Sequence, residues 1–231
     1  MARKVPADRI EKLIDCAAEV FIEQGYRRTQ MDDVAAALGV AKGTLYLYVD
    51  SKEALFDLVA RFADGPRPLP NPLNLPVPTP RAGATVRYVR ERLSRHQVPK
   101  TLASALAARR VVDARAELGA ITAELYDTLT ANRRGIKLLD RSARDLPELA
   151  ALWFEGARGG LIQTLRSYLD DRVRRGLLRA LPDTGVAARI TIETLVLWAV
   201  HRHWDAQPQI VDEAAAKDTV IQFIVNSLAN R

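Results

Sequence analysis

The chain has 231 residues, 48% of them apolar and 27% charged, with twelve glycines, twelve prolines and one cysteine. This composition excludes a disordered chain and an intramolecular disulfide framework. The longest apolar run, around 190–200, is too short to span a bilayer and contains Glu193. The formal charge of +6 is unevenly spread. Residues 1–62 hold nine basic and ten acidic side chains, residues 63–110 nine and two, and residues 111–231 sixteen of each. A high overall pI is therefore no argument by itself for a nucleic-acid partner. The N-terminal stretch is charged and amphipathic without an apolar signal core, so a soluble, cytoplasmic protein is expected.

Taken in chain order, Ile10, Leu13, Ile14, Ala17, Ala18 and Phe21 repeat with helical period and predict a first helix from about Ala7 to Gln24. Gly25 ends it. Thr29 is placed to cap a second helix, with Asp32 beside its exposed amides, and that helix stops at Leu38 before the Gly39 turn. A third helix is predicted over about Lys42 to Val49, and Ser51 caps a fourth that runs to about Ala63. Seven prolines, at 66, 68, 70, 72, 76, 78 and 80, then forbid helix. They predict an extended, PPII-like or mobile spacer over 64–81, dividing a domain at 1–63 from a second at 82–231. A proline-rich ligand for an SH3-like partner is the competing reading of that segment.

Beyond the prolines, helices are predicted near 82–97, 99–118, 120–144, 148–176, 184–205 and 212–229, making the chain all-α. The last two are apolar around most of their circumference and need cover on more than one side. That cover comes either from their own domain or from a second copy of the chain, as a two-fold four-helix bundle.

Residues 29–55 lay two short helices around a glycine turn, the layout of a helix-turn-helix whose second helix enters the DNA major groove. Gly43 lets that helix approach closely, Lys42 and Lys52 suit phosphates, and the phenols of Tyr46 and Tyr48 suit the same backbone. Thr44 suits a base edge or a thymine methyl. For the tyrosine pair the competing role is packing, with one of the two leaning into the core. With no net positive charge in residues 1–62, charges must be segregated. Arg3, Lys4, Lys42 and Lys52 are expected towards DNA, and Glu11, Asp15, Glu19 and Glu23 away from it.

Residues 9–56 resemble the DNA-binding domain of the TetR family of bacterial transcriptional regulators. The resemblance lies in Ala17-Ala18, Phe21, Gly25-Tyr26, Thr29, Val34-Ala35, Leu38-Gly39-Val40, Gly43-Thr44-Leu45-Tyr46, Tyr48 and Ser51-Lys52-Glu53. It covers about a fifth of the chain. It implies that Leu47 occupies a variable position facing the groove. It also implies that Gln30 stands where a phosphate-touching threonine is common, and Ala41 where a capping serine or threonine is usual. Further, it implies a homodimer on a double-stranded, pseudo-palindromic operator, a small-molecule effector in the larger domain, and repression more than activation.

Other signals are sparse. Gly156, Gly159 and Gly160 interrupt a helical pattern, which suits a close crossing or kink. The alternative is an effector pocket walled by Tyr88, Tyr126, Trp153 and Phe154. His201 and His203 are two apart on a helix and make a poor metal pair, and no resident cofactor is expected. Cys16 has no neighbour that would make it a nucleophile, and no catalytic motif appears, so an enzyme is not expected. An architectural module whose Arg-rich 87–110 region meets an acidic partner remains the rival from another class.

Overall fold

The computed structural model describes residues 7–69, 73–95 and 98–230. The elements in order are α1 (Ala7–Gln24), α2 (Met31–Leu38), α3 (Lys42–Leu45), α4 (Lys52–Phe62), α5 (Ala84–Ser94) and α6 (Lys100–Ala107). There follow α7 (Ala114–Ala131), α8 (Arg133–Ser142), α9 (Pro147–Ala150), a π-helical stretch (Ala151–Arg158) and α10 (Gly159–Arg174). The chain closes with α11 (Thr184–Ala199), a 3₁₀ turn (His201–Trp204) and α12 (Glu213–Leu228). The expected all-α class holds, and no described helix is long and apolar enough to cross a membrane.

The chain divides into two compact units that interleave in sequence. One is Met1–Leu93 with Arg134–Trp153, the other Ser94–Arg133 with Phe154–Arg231. The division expected at the prolines is not where the contacts part, because the proline segment and α8 both pack within the first unit.

In the first unit, α1 packs on α2 and α4. Leu13, Ile14, Ala17, Ala18 and Phe21 are fully buried, as are Val34, Leu45, Val49 and Leu55. The Phe56 ring meets Phe21 edge-on at 5.2 Å and Tyr26 at 4.9 Å. Two α1 acids, Asp15 and Glu19, face cations of the same unit. Asp15 accepts from Arg134 at 2.7 Å and from Arg67 at 3.0 Å, and Glu19 lies 3.4 Å from Arg134. Asp64 receives the backbone N–H groups of Arg134 and Gly135, which opens α8 on a carboxylate. Burial nonetheless pushes the Asp64 carboxyl above its usual range, against the pull of those two amides.

In the second unit, α7 packs against α6, α11 and α12, and α10 against α6 and α11. Its core holds Leu118, Ile121, Leu125, Leu165, Tyr168, Leu169, Ile192 and Leu195. Arg172 is 1% exposed, gripped by Glu117 at 2.7 and 3.2 Å and donating to the Ala105 carbonyl at 2.6 Å.

Three helices predicted as continuous are broken, the 184–205 helix at Val200, where α11 gives way to the 3₁₀ turn. The 99–118 helix stops at Ala107, and Asp113 starts α7 anew by accepting the Ala116 N–H at 2.9 Å. The 120–144 helix breaks at Asn132, whose side-chain amide donates back to the Thr128 carbonyl at 2.9 Å. The glycines of 156–160 accompany the π-helical stretch. A Cβ on Gly159 would stand 3.1 Å from the Phe154 carbonyl oxygen, so the widened turn tolerates little more than hydrogen there.

Candidate nucleic-acid interface

The reader is assembled by local signals. Gly25, at φ +86°, turns the chain out of α1, and the buried Thr29 hydroxyl donates to the Gly25 carbonyl at 2.7 Å. Thr29 thus closes the loop instead of capping α2. The cap is Gln30, whose N–H donates to the Asp33 carboxylate at 2.7 Å, so Asp33 and not Asp32 answers the helix start. Gly39, at φ +71°, makes the turn to α3. Ala41 stands before α3 with no side-chain cap, as expected for a methyl group at that position. Ser51 caps α4 by accepting the Ala54 N–H at 3.1 Å.

The predicted helix over Lys42–Val49 is shorter than expected. Regular α-helix ends at Leu45, and 46–48 form a tight turn with Leu47 N–H to the Thr44 carbonyl at 3.2 Å and Tyr48 N–H to the Leu45 carbonyl at 2.9 Å. Lys42, Gly43, Tyr46 and Leu47 are exposed, Tyr46 at 42% and Leu47 at 63%, while Thr44 is half-buried. Gln30 is also exposed. Of the tyrosine pair, Tyr48 is the one that packs inward, at 5% exposure, which removes most of its surface from any DNA contact.

The two lysines part company. The Lys42 ammonium lies at the surface, 2.7 Å from Asp32, and that hydrogen bond and charge raise its pKa. Lys52 instead points into the unit. Its ammonium donates to the carbonyls of Tyr26 at 3.1 Å, Arg27 at 3.5 Å and Thr29 at 3.1 Å, and lies 4.7 Å from the Tyr26 ring centre. Lys52 thus clamps the α1–α2 loop onto α4. Tyr26 completes the clamp by donating to Glu53 at 3.2 Å. Burial, then the Glu53 charge, pushes that phenol up to about 12. The signal for the clamp lay in Tyr26 and Glu53, whose roles are visible only once the loop has closed on α4. Arg3 and Lys4 lie outside the described residues.

The four aromatic candidates for an effector pocket fall in different units, Tyr88 and Trp153 in the first, Tyr126 and Phe154 in the second. Tyr88 lies under the Arg61 guanidinium at 4.3 Å and donates to the Arg61 carbonyl at 3.3 Å. The Trp153 indole N–H donates to Asp140 at 3.4 Å. Tyr126 is buried in the second core and Phe154 half-buried. Outside these candidates, burial and Glu19 raise the Cys16 thiol pKa, opposite to what a nucleophile needs.

Residues 13–59 match the family model for bacterial regulatory proteins of the tetR family. The chain is similar to the HTH-type transcriptional repressor KstR2 of Rhodococcus jostii, 43% identical over 53 residues, which are 23% of this chain and 26% of that protein. It thus spans about a quarter of the length of the curated relatives it matches. Over nearly the whole chain the fold is similar to that of the ketosteroid regulator KstR2 of Mycobacterium tuberculosis. That match has a TM-score of 0.57 at 14% identity, over 99% of this chain and 98% of the other. A second such structure is AibR in complex with isovaleryl coenzyme A and operator DNA. Its TM-score is 0.52 at 18% identity, over 93% and 97% of the two chains. Residues 13–59 are thus similar to the reader of bacterial regulatory proteins of the tetR family, and the chain as a whole shares the fold of such a regulator.

Proposed function

We propose that the chain is a ligand-responsive repressor that binds a pseudo-palindromic operator as a homodimer. The observation that carries the DNA reading is the exposed face of Lys42, Gly43, Tyr46 and Leu47, standing on a fully packed three-helix core. With Thr44 and Gln30 beside it, this face offers phosphate, base-edge and methyl contacts within one groove width. Asp15 and Glu19 of α1 face Arg134, and Lys42, beside the exposed Asp32, is the cation this face presents.

Dimerisation is supported by α11. Val186, Ile190 and Leu197 are 56%, 58% and 51% exposed, and their spacing of four and seven puts them on one stripe. Phe223 on α12 is 64% exposed. A second copy of the same two helices would cover these side chains as a four-helix bundle. Two readers held so would meet successive major grooves about 34–36 Å apart. An effector in the second unit would release DNA by preferring the arrangement that cannot reach both grooves. A 100-fold preference corresponds to about 2.7 kcal/mol. AibR, crystallised with an acyl-CoA and operator DNA, supports this reading at the level of fold.

The test is footprinting of the full-length chain on the DNA flanking its own gene. Two protected half-sites related by a dyad are expected. Lys42→Ala and Tyr46→Ala should abolish protection while sedimentation still reports a dimer. Undiminished protection by both variants would assign the DNA contact to another surface.

A further inference from the structure

The turn that ends the reader leaves main-chain groups that its short helix cannot satisfy, and the proline segment satisfies them. Val77 forms a parallel bridge with Val49, its N–H donating to the Tyr48 carbonyl at 2.8 Å and its carbonyl accepting the Asp50 N–H at 3.0 Å. Two residues on, the Thr79 hydroxyl donates to the Ser51 hydroxyl at 2.8 Å, the same oxygen that caps α4. The segment is also pinned before and after this contact. Leu69 N–H donates to Glu11 at 2.9 Å, and Thr85 donates to Asp57 at 2.8 Å. Nothing in the role of a mere spacer requires these bonds.

The sequence explains the docking edge. Residues 76–80 read Pro-Val-Pro-Thr-Pro. An extended chain sends successive backbone groups to opposite edges. Prolines at alternate positions therefore strip one edge of donors and leave the N–H groups of Val77 and Thr79 on the other. The prolines make a stiff strand with one usable side, and that side lies on the reader.

We propose that residues 76–80 are a strap that positions the DNA reader, with Val77 and Thr79 setting how the 46–50 turn presents Tyr46 and Leu47. The proposal rests on the DNA-binding reading above. The test uses the full-length chain and a duplex recovered from a random-sequence pool by the wild-type protein. Val77→Pro continues the proline run and deletes the donor to Tyr48. Operator binding is expected to weaken about 3- to 10-fold, the worth of one hydrogen bond. Discrimination against a duplex with one scrambled half-site should fall with it, and amide exchange at Asp50 should quicken, with the dimer intact and the melting temperature lowered by no more than about 2–4 °C. Val77→Ala, which keeps the N–H, should recover most of the affinity. Should Val77→Pro fail to fold, Thr79→Val with Thr79→Ser as rescue makes the same comparison. Quickened exchange at Asp50 with undiminished affinity and discrimination overturns the strap alone. Recovery of no duplex by the wild-type protein overturns the DNA reading and the strap with it.

Discussion

Lys42 and Lys52 are both cationic residues at the edges of the same small reader, and the structure gives them different partners. Replacing each by methionine separates their roles. Lys42 is at the surface, and one phosphate contact changes the slope of log K against log salt by about 0.9, so a dimer losing two should lose about 1.8. Its loss should leave the melting temperature unmoved, since its one partner is the equally exposed Asp32. Lys52→Met removes two carbonyl hydrogen bonds at 3.1 Å, a longer one at 3.5 Å, and a cation 4.7 Å from the Tyr26 ring. Charged hydrogen bonds contribute about 1.5–3 kcal/mol each, and carbonyls this near the surface recover water. A net loss of about 2 kcal/mol follows, lowering the melting temperature by about 4–8 °C. Anisotropy titrations across a range of KCl and differential scanning calorimetry read the two quantities separately. If Lys52→Met flattens the salt slope as much as Lys42→Met and melts with the wild type, the clamp is refuted.

Three further outcomes are expected. Arg172→Ala should destabilise the second unit by about 3–5 kcal/mol, because it strands the Glu117 carboxylate and the Ala105 carbonyl. Arg172→Met with Glu117→Leu should recover much of that in urea melts, and no recovery would mean that the arginine serves something other than its partner. His203 has its pKa lowered by burial first, then by Arg133 and Arg202. The unfolded chain therefore takes up the proton first, and stability present above about pH 6.5 is lost as pH falls towards the folded pKa. Melts of His203→Gln should lack that component, and identical pH profiles would rule it out. Gly39→Ala meets no atom within 4 Å, so its cost is the backbone at φ +71° alone, about 1 kcal/mol. A stability equal to wild type, measured by calorimetry, would show that the turn relaxes.

What the sequence determined by itself is the part held by local rules. Gly25 and Gly39 mark the positive-φ turns, Ser51 caps α4, and the period of Ile10 to Phe21 builds the buried face of α1. These need only neighbours a few residues away, and they sufficed to place Lys42, Gly43, Thr44, Tyr46 and Leu47 on one exposed turn. The open question over the tyrosines needed packing to answer, because alternate residues of a tight turn face opposite ways and only the core says which way is inward. The loop contacts of Lys52 were hidden for a related reason. A lysine's composition is the same whether its ammonium meets phosphate or three carbonyls of a loop closed from elsewhere in the chain. The packing of α8 in the first unit likewise rests on partners distant in sequence, Asp15 and Asp64. The proline segment is the sharpest case. Its prolines excluded helix and left an extended, PPII-like or mobile chain. Which surface would take that chain was decided only when the shortened third helix left the Tyr48 carbonyl and the Asp50 amide without helical partners.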